Sequence, residues 1–173
     1  MKPINFAKLA EIINADISEI SNIPKGVFDK FQISSVCIDS RKVTAGSVFF
    51  AIKGENHDGH DHLKQVFDNG AACAVCRVGL SPRDISQDKP ILFVADTITA
   101  LGRLATYVRQ NSSYKVVAIT GSAGKTSTKS MVSHVLKSKF RCYSSPKSFN
   151  NNIGVPLTVF DAPSDTEILV SEL

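Results

Sequence analysis

No apolar run in this 173-residue sequence approaches the ~20 residues that a membrane-spanning helix needs; the longest are ILFVA at 91–95 and VVAI at 116–119. The amino terminus, MKPINFAKLAEIINADISEI, lacks the uninterrupted apolar core of a secretory signal because acidic residues break it up. No membrane insertion and a cytoplasmic location are therefore expected. The 20 lysines and arginines form no basic block and the net charge is only +4, which argues against nucleic acid and suits a protein that handles small anions at one site. Cysteine is scarce, with four residues at 37, 73, 76 and 142. The pair in CAVC at 73–76 has neither the second Cys/His pair of a zinc site nor the helix start of a thioredoxin-like motif, so it reads as small hydrophobes in a strand.

What is present is an ordinary globular composition, 43% hydrophobic and 21% charged, enough for one core or two small ones. The spacing of Phe6, Leu9, Ala10, Ile12 and Ile13 predicts an opening helix with Asn5 as its cap. SVFFAI at 47–52 predicts a buried strand, HDHLKQVFDNG at 60–70 a helix with Leu63, Val66 and Phe67 inward, and AACAVCRV a second strand. A polar loop, GLSPRDISQDKP at 79–90, precedes the strand ILFVA. TITALGRLATYVRQ at 97–110 then puts Leu101, Leu104, Ala105 and Val108 on one stripe, with Thr97 or Thr99 able to cap. KVVAIT at 115–120 begins a new alternation, followed by a helix with Met131, Val132, Val135, Leu136 and Phe140 inward and a strand in EILVSEL at 167–173. Strand–helix–strand order of this kind predicts an α/β fold, divided near residue 95 into segments 1–95 and 96–173. Because the sequence stops inside an apolar strand, the chain is expected to be the amino-terminal part of a longer polypeptide.

The richest segment is AITGSAGKTSTKSM at 118–131. The common phosphate-loop pattern G-x-x-x-x-G-K-[ST] wants glycine where Ile119 stands, yet the remaining parts are there, between an apolar strand and an amphipathic helix. A strand turning through Gly121 and Gly124 into a helix aims several backbone N–H groups, and the positive end of the helix dipole, at one point. Lys125 can reach the β- and γ-phosphates of a nucleotide and Thr126 can offer its hydroxyl to magnesium. The turn starts at Thr120–Gly121, which makes the loop a short one.

That short form, T-G-[ST]-x-G-K-T, resembles the loop of the Mur ligase and folylpolyglutamate synthetase superfamily at every specified position. DSRKVTAGSVFFAIKGENHDGHDH at 39–62 resembles the amino-terminal segment of the Mur ligases that add the third residue and the final dipeptide to the cell-wall precursor, and SFNNNIGVPLTVF at 148–160 resembles the dipeptide-adding branch. The implied fold is the amino-terminal α/β domain of those ligases, followed by the first part of a P-loop ATPase-type, Rossmann-like central domain, incomplete here. The implied activity is ATP-dependent joining of D-Ala-D-Ala to UDP-MurNAc-tripeptide through an acyl phosphate, with ATP and Mg2+ as cofactors, in a monomeric protein, and no turnover from this chain alone.

The resemblance further implies that Lys125 is catalytic and that Gly121, Ser122, Ala123, Gly124, Lys125, Thr126, Ser127, Asn151 and Asn152 bind ATP. It implies that Thr126 and Glu172 hold the metal, and that Ile38, Ser40, Arg41, Glu55, Asn56 and His57 contact the UDP-linked substrate. By itself Glu172 reads as a solvated charge at a strand end, and the three histidines of NHDGHDH as a polar loop with a weak metal hint. Ser148 departs from the asparagine common in the family, which leaves Asn150, Asn151 and Asn152 as the better candidates around nucleotide and metal. The tripeptide-forming ligase, a non-catalytic P-loop module and a small P-loop switch or kinase are the alternatives; the last lacks a second acidic strand-end residue and a base-reading motif.

Overall fold

The computed structural model describes residues 2–16, 32–79, 89–145 and 148–173, so residues 80–88 of the polar loop expected at 79–90 lie outside it. In chain order the strands are β1 (Ile4–Asn5), β2 (Gln32–Ile33), β3 (Ser35–Cys37), β4 (Ser47–Phe50), β5 (Cys73–Arg77), β6 (Ile91–Val94), β7 (Lys115–Ile119), β8 (Cys142–Ser144) and β9 (Ile168–Glu172). The α-helices are α1 (Phe6–Ile13), α2 (Leu63–Asp68), α3 (Thr97–Gln110), α4 (Lys125–Lys137) and α5 (Gly154–Asp161). They form two compact units, Lys2–Leu104 and Ala105–Leu173, and α3 carries the chain from one to the next.

The first unit is built on a four-stranded parallel sheet in the order β3-β4-β5-β6. Parallel strands are covered on both faces and so read as continuous apolar runs; all four residues of β4 and the first four of β5 are buried. Strand alternation sends Phe49, Ala74 and Cys76 into one core with Leu63, Val66 and Phe67 of α2. Burying each of the large side chains stabilises the unit by about 1.5–3 kcal/mol. Cys73 and Cys76 are buried within this sheet, and burial pushes both thiols up, that of Cys76 to about 12. The Asn5 side chain caps α1 by accepting from the Lys8 amide, and Phe6, Leu9, Ala10 and Ile13 are buried, as the spacing predicts. Ile12 is only half-buried.

At α3 the cap is neither Thr97 nor Thr99. The Asp96 carboxylate accepts from the Thr99 amide at 2.6 Å. A carboxylate satisfies an orphan N–H and complements the helix dipole at once, which a threonine hydroxyl does not. The Thr99 amide and hydroxyl hold the Asp96 carboxyl below the usual carboxylate range. Asp96→Ala should therefore lower stability by about 1 kcal/mol at neutral pH, and the difference from wild type should shrink as pH falls through the depressed Asp96 pKa. Urea unfolding at neutral and acidic pH measures both.

The second unit has a three-stranded parallel sheet in the order β7-β9-β8. Every residue of β9, the central strand, is buried, whereas β7 lies at an edge. The strand β8 and the helix α5 escape the sequence patterns, β8 because three residues show no periodicity. Helix α4 is turned from expectation: Met131 and Val135 are 69% and 67% exposed and Phe140 38%, Val132 and Leu136 are half-buried, and the buried residues are Lys129 and Ser133. The inner face of α4 meets polar strand ends, where the Ser133 hydroxyl lies 3.1 Å from that of Ser144 and Lys129 donates to Ser145. An apolar face there would remove these partners from the buried Ser145 and from Ser144, and the ion-pair partner from Glu172, which costs more than exposing two aliphatic side chains.

Candidate functional site

Because β7, β8 and β9 are parallel, their carboxyl ends lie at one edge of the sheet, where α/β folds gather ligands. The chain leaving β7 makes the loop 120–124, the chain leaving β8 leads to Ser148 and Asn150, and β9 ends on Glu172. The register aligns Ile119 with Glu172, which sets the carboxylate beside the base of the loop. Gly121 and Gly124 have φ of +151° and +76°, values that side-chain-bearing residues rarely adopt. Gly124 in this left-handed state caps α4, whose first turn has no acidic residue.

An open cavity of about 340 Å³ is lined by Ser122 to Ser127 together with Ser148, Asn150 and Glu172. The Lys125 ammonium donates to the Gly121 carbonyl at 2.8 Å across the loop. The Thr126 hydroxyl lies 3.0 Å from Glu172 Oε2 and 3.1 Å from the Ser148 hydroxyl. Asn150 Nδ2 donates to Glu172 Oε1 at 3.0 Å. Glu172 is only 2% exposed, so it is not the solvated strand-end charge that its position alone suggests. Beneath it, Lys129 Nζ stands 3.7 Å from Oε2 and donates to the Ser145 carbonyl at 3.1 Å.

The structure thus brings Gly124, Lys125, Thr126, Ser127, Ser122, Ala123 and Glu172 to one cavity, with Gly121 at its base. Asn151 and Asn152 do not line it. Asn151 Oδ1 instead accepts from the amides of Ile153 and Gly154 at 3.1 and 2.7 Å and so organises the start of α5. Asn152 is exposed. Two residues of the site escape the sequence pattern. Ser148 stands out in sequence only as a departure from a family motif, yet it bonds to Thr126. Lys129 has the look of a solvated mid-helix charge; the signal for it is the polar stripe Thr126, Lys129, Ser133, spaced to share one helix face.

A hard divalent cation such as Mg2+ suits this donor set, a buried carboxylate beside a hydroxyl, both oxygen ligands. Among the described residues no group of three His, Cys, Asp or Glu side chains could hold a metal by itself. One carboxylate plus phosphate oxygens is how Mg2+ is commonly held at nucleotide sites.

The other candidates lie in the first unit, after the adjacent parallel strands β3 and β4. Ile38, Ser40 and Arg41 follow β3; Glu55, Asn56 and His57 form an exposed turn after β4, closed by the Gly54 amide on the His57 carbonyl at 2.8 Å. Asp39 caps the 3-10 turn Ser40–Lys42, and its two oxygens accept from Arg41 Nε and Nη2, both at 2.8 Å. That two-pronged pairing holds the Asp39 carboxyl down to about 2. Nearby, His60 Nδ1 meets Asp58 and His60 Nε2 accepts the Arg77 amide at 3.1 Å, which ties the loop to the end of β5. Burial works to raise the Asp58 carboxyl, but the His60 amide and ring outweigh it and hold it low. Both segments therefore border the carboxyl end of the same sheet.

Comparison with known proteins gives a consistent result. The profile described as Mur ligase family, catalytic domain, matches residues 32–109, and that described as Mur ligase middle domain matches residues 119–173. The UDP-N-acetylmuramoyl-tripeptide–D-alanyl-D-alanine ligase of Bacillus subtilis is 35% identical over 167 residues, which cover 94% of this chain and 36% of that protein. A crystal structure of MurF from Acinetobacter baumannii superimposes with a TM-score of 0.81 at 32% identity, covering 100% of this chain and 36% of that one. MurF ligase from Thermotoga maritima in complex with ADP matches with a TM-score of 0.69 at 33% identity, covering 80% of this chain and 31% of that one. The chain spans just over a third of the length of these relatives.

Proposed function

Since the chain belongs to the Mur ligase family, we propose that it supplies the UDP-substrate site and the nucleotide-phosphate site of an ATP-dependent ligase that joins D-Ala-D-Ala to UDP-MurNAc-tripeptide. The observation that carries this reading is the meeting of Thr126 and Glu172 at 3.0 Å, at the mouth of a short glycine loop. The names of the relatives support the dipeptide-adding reaction over the tripeptide-forming one. A reaction using ATP and a UDP-linked precursor belongs in the cytoplasm.

The chemical difficulty is that a carboxylate is a poor electrophile, and phosphorylation converts it to an acyl phosphate that an amine can attack. Phosphoryl transfer rests on positioning and on neutralising charge. Mg2+, when bound, would neutralise phosphate charge. The chain's own part is to hold a polyphosphate against Gly121–Ser127, with Lys125 swinging from the Gly121 carbonyl to phosphate oxygens. Glu172 and Thr126 would face the cation from below, with Asn150 and Ser148 fixing the rotamers of both. Ile38, Ser40, Arg41 and the turn Glu55–His57 would receive the uridine nucleotide, and releasing Arg41 from Asp39 would free its guanidinium for a diphosphate.

Calorimetric titration with UDP-MurNAc-tripeptide tests the proposal. One-to-one binding is expected even where ATP binds weakly; a folded chain that takes up no uridine nucleotide would refute the assignment of the first unit. Phosphate release from the chain alone with both substrates present is expected to stay at background, because the relatives that carry the activity are nearly three times as long.

A further inference from the structure

The residue that the proposed chemistry leaves unused is Lys129. It is 3% exposed, one turn after Thr126 on the inner face of α4, and its ammonium stands 3.7 Å from Glu172 Oε2. A lysine needed only to tie α4 to the segment after β8 could be any neutral donor to the Ser145 carbonyl and hydroxyl, which it reaches at 3.1 and 3.3 Å. Burying a full charge is costly, and an ion pair repays that cost only where the opposite charge must also be buried. Here that charge is Glu172, itself 2% exposed.

We infer that Lys129 is a positioning residue that neutralises Glu172 from inside the fold, so that the Thr126–Glu172 pair takes a divalent cation only together with nucleotide phosphates. Cation affinity at oxygen sites follows the number of negative ligands. Among the described residues Glu172 is the one carboxylate lining the cavity, and Lys125, which also lines it, together with Lys129, which pairs with Glu172, leaves the protein side of the site with no net negative charge. A free cation then gains little, whereas phosphate oxygens entering against the glycine loop supply the missing charge. Lys129 also helps to hold the carboxylate beside Thr126 whether or not a cation is present: it pairs with Glu172 Oε2 without lining the cavity, while Asn150, which does line it, donates to Oε1. This role for Lys129 rests on the proposed nucleotide site.

The test is Mn2+ binding to the whole chain, followed by electron paramagnetic resonance without nucleotide. Wild type should leave Mn2+ free up to roughly 1 mM. Lys129→Met should bind it at least about tenfold more tightly, and adding Glu172→Gln should remove the gain. Lys129→Gln serves as a second variant if the methionine fails to fold, and the wild-type titration needs no variant at all. Micromolar Mn2+ binding by wild type, or equal affinity in wild type and a folded Lys129 variant, overturns the inference; a purely structural lysine would alter melting without altering Mn2+ affinity. Mn2+ uptake by wild type in the presence of a slowly hydrolysed ATP analogue reports separately on the nucleotide site, so either reading can fail alone.

Discussion

Gly154→Ala is expected to lower the stability of the second unit by about 3 kcal/mol, the upper end of what overpacking costs. A Cβ placed on Gly154 would lie 2.7 Å from both Cα and Cβ of Phe149, and 3.0 Å from its carbonyl carbon. These are backbone or backbone-adjacent atoms, so relief requires either α5 or the segment 148–150 to move. That segment carries Ser148 and Asn150, the partners of Thr126 and Glu172, so the movement should loosen the cavity as well. Hydrogen exchange at the β9 amides, together with denaturant unfolding, measures the loss. Gly102→Ala is the control. It sits in the middle of α3, where an added methyl group would meet nothing within 4 Å, and should be neutral or stabilising by up to about 1 kcal/mol. Equal stability of Gly154→Ala and wild type would mean that the Phe149 backbone yields freely.

Lys125→Ala should have the opposite profile. Among the described residues its ammonium bonds to the Gly121 carbonyl alone, at 2.8 Å, and it stands at the first position of α4, where the helix dipole disfavours a cation. Removing it should leave stability unchanged or raise it by about 0.3–1 kcal/mol. Charged hydrogen bonds to phosphate contribute about 1.5–3 kcal/mol, so the affinity for an ATP analogue should fall by roughly 10- to 100-fold. Calorimetry with the analogue and thermal unfolding on the same preparation give both numbers. Unchanged analogue affinity would remove Lys125 from the phosphate site, and a large loss of stability would make it a structural residue instead.

Much of this protein is legible in its sequence. The loop TGSAGKTS announces itself through two glycines and a lysine between an apolar strand and a helix, and the structure gives those glycines the positive φ angles the motif requires. Strands β4, β5 and β6 of the first unit are equally plain, since parallel strands buried on both faces read as apolar runs, whereas the two- and three-residue strands β1, β2 and β3 are too short to show a pattern. Helix α4 defeats the pattern for a definite reason. Periodicity finds an apolar stripe and assigns it inward, but here the buried residues are the polar Lys129 and Ser133, because that face covers charged and hydroxylic strand ends.

Local sequence by itself determined the phosphate loop, the buried strands and the cap of α1, because each depends on residues within a few positions of one another. The tertiary structure alone decided that Glu172 is buried, that it meets Thr126 across 46 positions of sequence, and that Lys129 stands behind it. Those facts follow from the insertion of the last strand, β9, between β7 and β8. Strand order is set by pairing and crossover packing over the whole unit, and no spacing along the chain records it.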